Sequence, residues 1–408
     1  MRTNSRLPIY LIYFLDNFGF AIVFPLFSTF ILSSESFLLP PKYNMMMRNI
    51  LYGTLSGAFP LGMFFGAPLL GNASDFWGRK RVFTITLCGI CLGNLLTALS
   101  LFIGSYYFLL TSRLITGFFS GNLTLCHAAL SDLSPTPKIR AKNFGMLTAI
   151  GGSSWIIAIL LGKWATSAPY SFNPSLPFLI SAAVAIFNLM LMSFLYQETS
   201  PGHTESFNFK KGFNSALHTL RSSKIRRLVC VLLFFSIGWL ITLQWFGGFS
   251  IESFHTNHTQ LINIFLSIAL CWILAASLLN RFIVNRVSLA KIPFYALLLF
   301  ALLLPFFGIT GNYYTFCLLN ILSISASALI LCNLLNLFSI SAPAIAQGRI
   351  LGLTQAVIAG AQFLAPQFGT FFLLGGQIRF YLYTSFLILL AFIFLWSEMN
   401  LLKKQKLP

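Results

Sequence analysis

The stretch GNASDFWGRKRVF, Gly71 to Phe83, joins two apolar segments and places one acid and three consecutive bases within a single short turn. Elsewhere the chain avoids charge. Of its 408 residues, 57% are hydrophobic and only 8% are charged, and the mean hydropathy is +0.81. A soluble domain carries about 25% charged residues, so a composition this poor in charge belongs to a chain whose main solvent is lipid.

Outward from that turn, apolar runs recur over 8–32, 50–71, 82–104, 106–131, 144–164, 177–197, 228–250, 259–280, 290–309, 313–337, 349–374 and 379–397. Each approaches the roughly 20 residues that a helix needs to cross a bilayer, and each is too long and too uniformly apolar for a barrel strand. The third and fourth runs are separated by a turn at Gly104-Ser105. Twelve transmembrane helices and an all-α membrane protein follow. The run after Arg2 and Arg6 continues past Asp16 without a small-residue cleavage site, so it reads as a retained first helix.

The bases give the orientation. With the N-terminus inside, twenty-one bases fall on inner segments, and only Lys42, Arg48, Lys163 and Arg379 fall outside. That bias places both termini in the cytoplasm and accounts for the +18 formal charge without a nucleic-acid partner. The expected location is the inner (plasma) membrane of a bacterium. The seven cysteines are scattered through apolar runs, and the Cys88/Cys91 pair has no His or acid nearby. They read as small packing residues, and neither a metal nor any other cofactor is expected.

The longest inner connection is polar and basic and divides the chain into 1–197, a six-helix bundle, a linker at 198–227, and a second bundle at 228–408. A shift of 207 residues brings Arg79 onto Arg286, Gly145 onto Gly352, and AILLG (158–162) onto APQFG (365–369). Two pseudo-symmetric halves are the expectation, with one chain holding a complete pair and therefore acting as a monomer.

The turn that opens this reading resembles the signature loop of the major facilitator superfamily. Three further stretches agree with it: Arg113-Leu-Ile-Thr-Gly117, the Asp16, Gly19 and Pro25 pattern of the first helix, and ALSDLSPTPKIRAKNFG (129–145). The last is similar to the drug:proton antiporter branch, tetracycline-efflux proteins especially. The resemblance implies that Asp75 faces the N-terminal end of the eleventh helix near Gly348 to Gly352, and that Arg79 bridges to Asp132. Gly71, Asp75, Gly78, Arg79, Lys80 and Asp132 would then form a cytoplasmic latch that closes in the outward-open state and breaks when the inner side opens. The chain departs from the pattern at Phe76, where a second arginine is expected, and at Ala158-Ile159 and Gly162-Lys163, where antiporters carry GP and paired glycines. Ala365-Pro366 keeps a helix-disrupting residue at the repeat-related place.

Asp16 is the only acid well within a span, and Arg113 the only mid-span base. Counting residues from each membrane face puts the two about 6 Å apart in height, so pairing is allowed. Two readings stand: a proton-coupling pair whose separation changes with conformation, or a static ion pair. His127 has the same ambiguity between proton relay and packing. Asn320, Ser323 and Ser327 share one face of the tenth helix, and Gln355 and Gln362 share one face of the eleventh. With Asn17, Trp239, Gln244 and Trp245 they are candidates for a substrate cavity suited to an uncharged, zwitterionic or amphipathic solute. Small polar residues also hold membrane helices together, so cavity lining and helix packing both remain open.

The function expected is transport of small organic solutes by alternating access, coupled to protons and directed outward. A proton-linked importer of a nutrient or metal chelate is the alternative. The chain has no HExxH or GxSxG motif, which argues against an enzyme, and no large soluble appendage of the kind that marks a non-transporting sensor.

Overall fold

A computed structural model describes residues 6–21, 27, 31, 38–40, 42–167, 174–199, 222–256, 258–341, 347–373 and 376–404. Pro25 of the first-helix pattern and residues 200–221 of the linker lie outside them. The described chain is built of helices: α1 (Arg6–Ala21), α2 (Met45–Trp77), α3 (Arg79–Ile103), α4 (Tyr106–Phe119), α5 (Asn122–Asp132), α6 (Pro137–Ser167), α7 (Leu176–Leu195), α8 (Ser223–Phe254), α9 (His258–Leu274), α10 (Asn280–Val284), α11 (Lys291–Ile309), α12 (Tyr313–Ser341), α13 (Gln347–Leu373) and α14 (Gly376–Lys404). A π-helical segment, Ala275–Leu279, joins α9 to α10.

Two of the twelve apolar runs are therefore interrupted helices. The fourth run breaks between α4 and α5 at Ser120-Gly121, where the Ser120 amide donates to both Thr116 O and Gly117 O. The eighth carries the π segment. Small residues account for the first break. Gly117 packs on the Phe59 backbone and Gly121 on Leu70, and neither contact leaves room for a side chain. Gly104 closes α3 in the left-handed conformation, φ 75°, and so makes the expected turn. Among the described residues, eight helices are long and apolar enough to cross a membrane. Their outward surfaces carry large apolar side chains such as Phe102, Phe194 and Tyr314, as lipid contact requires.

The chain forms two compact units. Unit 1 comprises residues 1–133, 153–216 and 344–359. In it α2 and α4 lie backbone to backbone: Gly62 and Gly66 meet the carbonyls of Leu114 and Phe118, and Gly117 meets that of Phe59. Without a hydrophobic driving force between helices in lipid, such close approach supplies the packing. The first half of α13 joins this unit, with Ala359 clustered against Phe59, Met63 and Ala67.

Unit 2 comprises 134–152, 217–343 and 360–408. A block of aromatic rings holds it at one end, where Phe316 stacks on Phe246 at 4.8 Å and Phe307 stacks on Tyr381 at 5.1 Å. The first half of α6 belongs here, through an alanine seam of Ala149, Ala275, Ala276 and Ala328. Helices α6 and α13 thus each contribute one half to each unit. Helix α13 runs on through position 366.

Candidate functional site

The quoted turn builds a buried charge cluster in unit 1. Only Gly78 separates α2 from α3, and its φ of 83° is a value that a side chain resists. Asp75 therefore lies in the last turn of α2, where the helix dipole disfavours an anion. Its compensation comes from α13: the Gly348 amide donates to Oδ1 at 3.0 Å and the Arg349 amide to Oδ2 at 2.9 Å. Both are first-turn amides that lack intrahelical acceptors, so the carboxylate meets both unpaired donors and the positive end of a dipole. Gly71 and Gly348 pack backbone against backbone, and a Cβ on either would collide with the other's carbonyl.

Arg79, fully buried, ties the cluster together. Its Nη1 donates to Asp75 Oδ1 at 2.7 Å and to the Ser74 hydroxyl, and its Nε donates to Asp132 Oδ2 at 3.2 Å. A buried guanidinium is tolerable only with such pairing, and two carboxylates supply it. Glu198 completes the arrangement. Its two carboxylate oxygens each accept at 2.9 Å, one from the Arg79 amide and one from the Lys80 amide, which caps α3 where Gly78 has no side chain to do so. The Lys80 ammonium reaches the Ser193 carbonyl at 3.0 Å. Thr199, next in sequence, donates to Asp132 Oδ2 at 3.4 Å. Sequence reasoning placed Asp75, Arg79 and Asp132 but missed Ser74, Glu198 and Thr199. The available signal was an acid at the end of the sixth span in a chain with only eight acids.

Asp16 and Arg113 do not pair, and here the sequence expectation is corrected. The three ion pairs among the described residues join Asp75 and Asp132 to Arg79 and Glu398 to Arg227. Asp16 turns instead to α5, where its Oδ1 accepts from Asn122 Nδ2 at 3.5 Å. Asn122 in turn accepts the Thr86 hydroxyl. The other carboxyl oxygen of Asp16 is buried without a partner. Arg113 donates to the Gly19 carbonyl at 3.2 Å. Its guanidinium lies 4.9 Å from the Phe59 ring centre and 5.9 Å from those of Phe27 and Phe178. Three ring faces and one carbonyl take the place of a counter-charge. The height estimate carried no information on which way each side chain turns about its helix axis. His127 Nδ1 lies 2.7 Å from the Leu123 carbonyl one turn back, with the ring edge-on to Tyr13, an arrangement of helix packing.

Of the residues singled out for a cavity, Asn17 and Gln355 belong to unit 1 and the others to unit 2. Asn17 bonds back to the Tyr13 carbonyl at 2.8 Å, Gln355 is buried in unit 1, and Gln244 is exposed. In unit 2 Trp239 stacks between Phe235, at 6.0 Å, and Trp272, at 4.9 Å. The buried polar atoms Trp239 Nε1, Trp245 Nε1, Asn320 Nδ2, Ser323 Oγ and Gln362 Oε1 have no hydrogen-bond partner. Groups that make no bonds inside the fold are available to a solute. Among the described residues no hydrogen bond joins any two of these candidates.

Comparison with known proteins places this geometry. The family model described as Major Facilitator Superfamily matches residues 9–366. Major facilitator superfamily domain-containing protein 10 of Mus musculus is 27% identical over 391 residues, which cover 87% of this chain and 80% of that protein. The class H tetracycline resistance protein of Pasteurella multocida is 30% identical over 199 residues, 48% of this chain and 45% of its own length. The crystal structure of the human organic anion transporter MFSD10 (TETRAN) superposes with a TM-score of 0.81 at 20% identity, covering 96% of this chain and 99% of that one. The E. coli fucose:proton symporter gives 0.76 at 15% identity, with 96% and 98% covered.

Proposed function

The chain belongs to the major facilitator superfamily, and from that membership we propose that this membrane transporter is a proton-coupled exporter of small amphipathic organic compounds. It is an integral membrane protein of twelve helices in two six-helix bundles, a transporter of small organic solutes by alternating access and not an enzyme. Proton coupling and outward direction are the finer reading. One observation carries the coupling: Asp16 is buried beside Asn122 with one carboxyl oxygen unpartnered. A carboxylate without full compensation inside a membrane protein costs about 3 kcal/mol, so a change in its hydration changes its charge. With Arg113 held elsewhere, Asp16 exchanges its proton without first breaking an ion pair.

The similarity to tetracycline resistance proteins supports the outward direction. In this reading Asp75, Arg79, Asp132, Gly71, Gly78 and Lys80 act as a latch that holds one end of the molecule closed. The unpartnered groups of Trp239, Asn320, Ser323 and Gln362, with Asn17, Gln244 and Gln355, face the solute path. The inner bases put both termini in the cytoplasm, and in this reading the membrane is a bacterial plasma membrane. The halves are 1–197 and 228–408, and the working unit is a monomer.

The test uses inverted membrane vesicles energised to an acidic interior, with tetracycline as the first probe and a panel of amphipathic dyes beside it. The reading predicts probe uptake into the vesicles that collapses with a protonophore. Loss of preloaded probe on acidification would mean symport, the direction favoured by the missing GP element at Ala158-Ile159. Transport indifferent to the gradient would remove the coupling.

A further inference from the structure

We infer that a second clasp, built from neutral amides, holds the first half of α6 within unit 2, and that Asn280 is its central positioning residue for the transport cycle. The inference rests on the alternating-access reading of the Asp75 latch.

The starting point is a correspondence between the two units. Each contains a segment from the start of a helix whose other half lies in the other unit: 344–359 in unit 1 and 134–152 in unit 2. The 207-residue shift that relates the halves brings 152 onto 359, Ala141 onto Gly348, Gly145 onto Gly352 and Asp132 onto Ser339. The contacts match as well. A Cβ on Gly352 would run into the Ala67 carbonyl, and one on Gly145 would run into the Ala276 carbonyl. The Gly348 amide donates to Asp75, whereas the Ala141 carbonyl accepts from Asn280 Nδ2 at 3.1 Å. The outer partners differ: Asp132 takes Arg79 Nε, whereas Ser339 takes Arg140 Nη1 at 3.1 Å, and Arg140 corresponds to Gln347 rather than to Arg79.

The polarity is reversed and the ionised carboxylates are absent. Residue 282, which corresponds to Asp75, is Phe282, and the amide two positions earlier makes the contact. The π segment Ala275–Leu279 explains how it reaches α6. One extra residue in a turn rotates everything after it by about 100°, and Asn280 is the first residue after that turn. Gly145 leaves the space in which the Asn280 amide meets the helix. Asn280 is fully buried, and its own oxygen accepts from Asn333 Nδ2 at 2.8 Å. Asn336 Nδ2 adds a bond to the Pro137 carbonyl at 3.4 Å.

Small polar residues commonly hold membrane helices together, but here alanines already pack the seam nearby, and the amides add a continuous chain across three helices. A clasp of neutral hydrogen bonds fits a contact that opens and closes, because parting it leaves no bare charge in lipid. The seam also reaches a candidate solute contact. Trp272 donates from Nε1 to the Thr148 carbonyl of α6 at 3.1 Å while stacking on Trp239. Occupancy at Trp239 therefore bears on how α6 is held.

The experiment is hydrogen exchange by mass spectrometry on the full chain in lipid nanodiscs, comparing wild type, Asn280→Leu and Asp75→Asn. If both clasps guard one closed state, Asn280→Leu speeds exchange about tenfold at 137–152 and equally at 347–359, with 291–309 unchanged. Faster exchange at 137–152 alone, or at neither segment, makes Asn280 a packing residue and overturns the inference. The Asp75→Asn arm separates the two ideas. Acceleration of both segments by Asp75→Asn with only one responding to Asn280→Leu sinks the second clasp and spares the latch. If Asp75→Asn moves 347–359 alone, the latch reading has failed and the inference falls with it. Should Asn280→Leu not fold, Asn336→Leu and Ser339→Ala are judged on the same readout.

Discussion

Arg113 shows how a buried charge can be held without an opposite charge. Its guanidinium spends one bond on the Gly19 carbonyl and otherwise faces Phe59, Phe27 and Phe178, with Nε and Nη1 unpartnered. Replacing an under-compensated buried charge with an apolar side chain of similar volume is often neutral or stabilising, whereas truncation leaves a void. Arg113→Leu is therefore expected to unfold within about 1 kcal/mol of wild type, and Arg113→Ala to be less stable by about 2 kcal/mol or more. Thermal unfolding in detergent measures both; a Leu variant that melts as far below wild type as the Ala variant does would show that the charge itself stabilises the fold. Gly78 supplies a second residue-scale test. Its φ of 83° is strained for any L side chain, so Gly78→Ala should cost about 1 to 2 kcal/mol and spoil the alignment of Asp75 with Arg79.

Among the elements, the turn between α2 and α3 carries the most argument. Asp75 serves two amides of α13 and one arginine at once. Asp75→Asn retains one acceptor oxygen, loses the charge, and places an NH2 against a row of donors. Solute binding should stay near wild type while turnover falls about tenfold or more, because the residue biases a conformational equilibrium away from the solute path. Equilibrium binding and transport of the same probe separate these; loss of binding with unchanged turnover speaks against a latch. Glu198→Gln keeps one of the two acceptors and should be the milder change, whereas Glu198→Ala removes both, uncaps α3 and should cost about 1 kcal/mol of stability.

The same elements show what the sequence could reveal. Asp75, Arg79 and Asp132 were legible because the turn resembles a family's signature loop, and the resemblance implied both contacts. The left-handed Gly104 was legible because glycine marks such turns. Asn280, Asn333 and Asn336 were not, since neutral amides are ordinary in membrane helices and only the structure brings them together. Nor could hydropathy reveal the π segment, whose residues Ala-Ala-Ser-Leu-Leu are as apolar as their neighbours. The Asp16–Arg113 pair failed for a related reason: depth is a count along the helix, but contact depends on direction around it.

At the scale of the whole molecule, the twelve helices and the distribution of bases make a topological claim. A cysteine placed in the linker between 198 and 227 should be protected from an impermeant thiol reagent in intact cells and labelled in inverted vesicles. Labelling in intact cells would invert the assignment of both termini. The coupling claim concerns the molecule's whole cycle, since a proton taken up in one state must leave in another. Asp16 is the acid on which it depends, and Asp16→Asn is nearly isosteric and can keep the contact with Asn122 while losing the ability to ionise. The decisive measurement is solute-driven proton flux in proteoliposomes, with wild type beside Asp16→Asn and facilitated exchange of the same probe as the control for folding. The account predicts proton movement in the wild type, its loss in the variant, and exchange that persists in both. Undiminished proton flux in Asp16→Asn would contradict it and move the coupling site elsewhere.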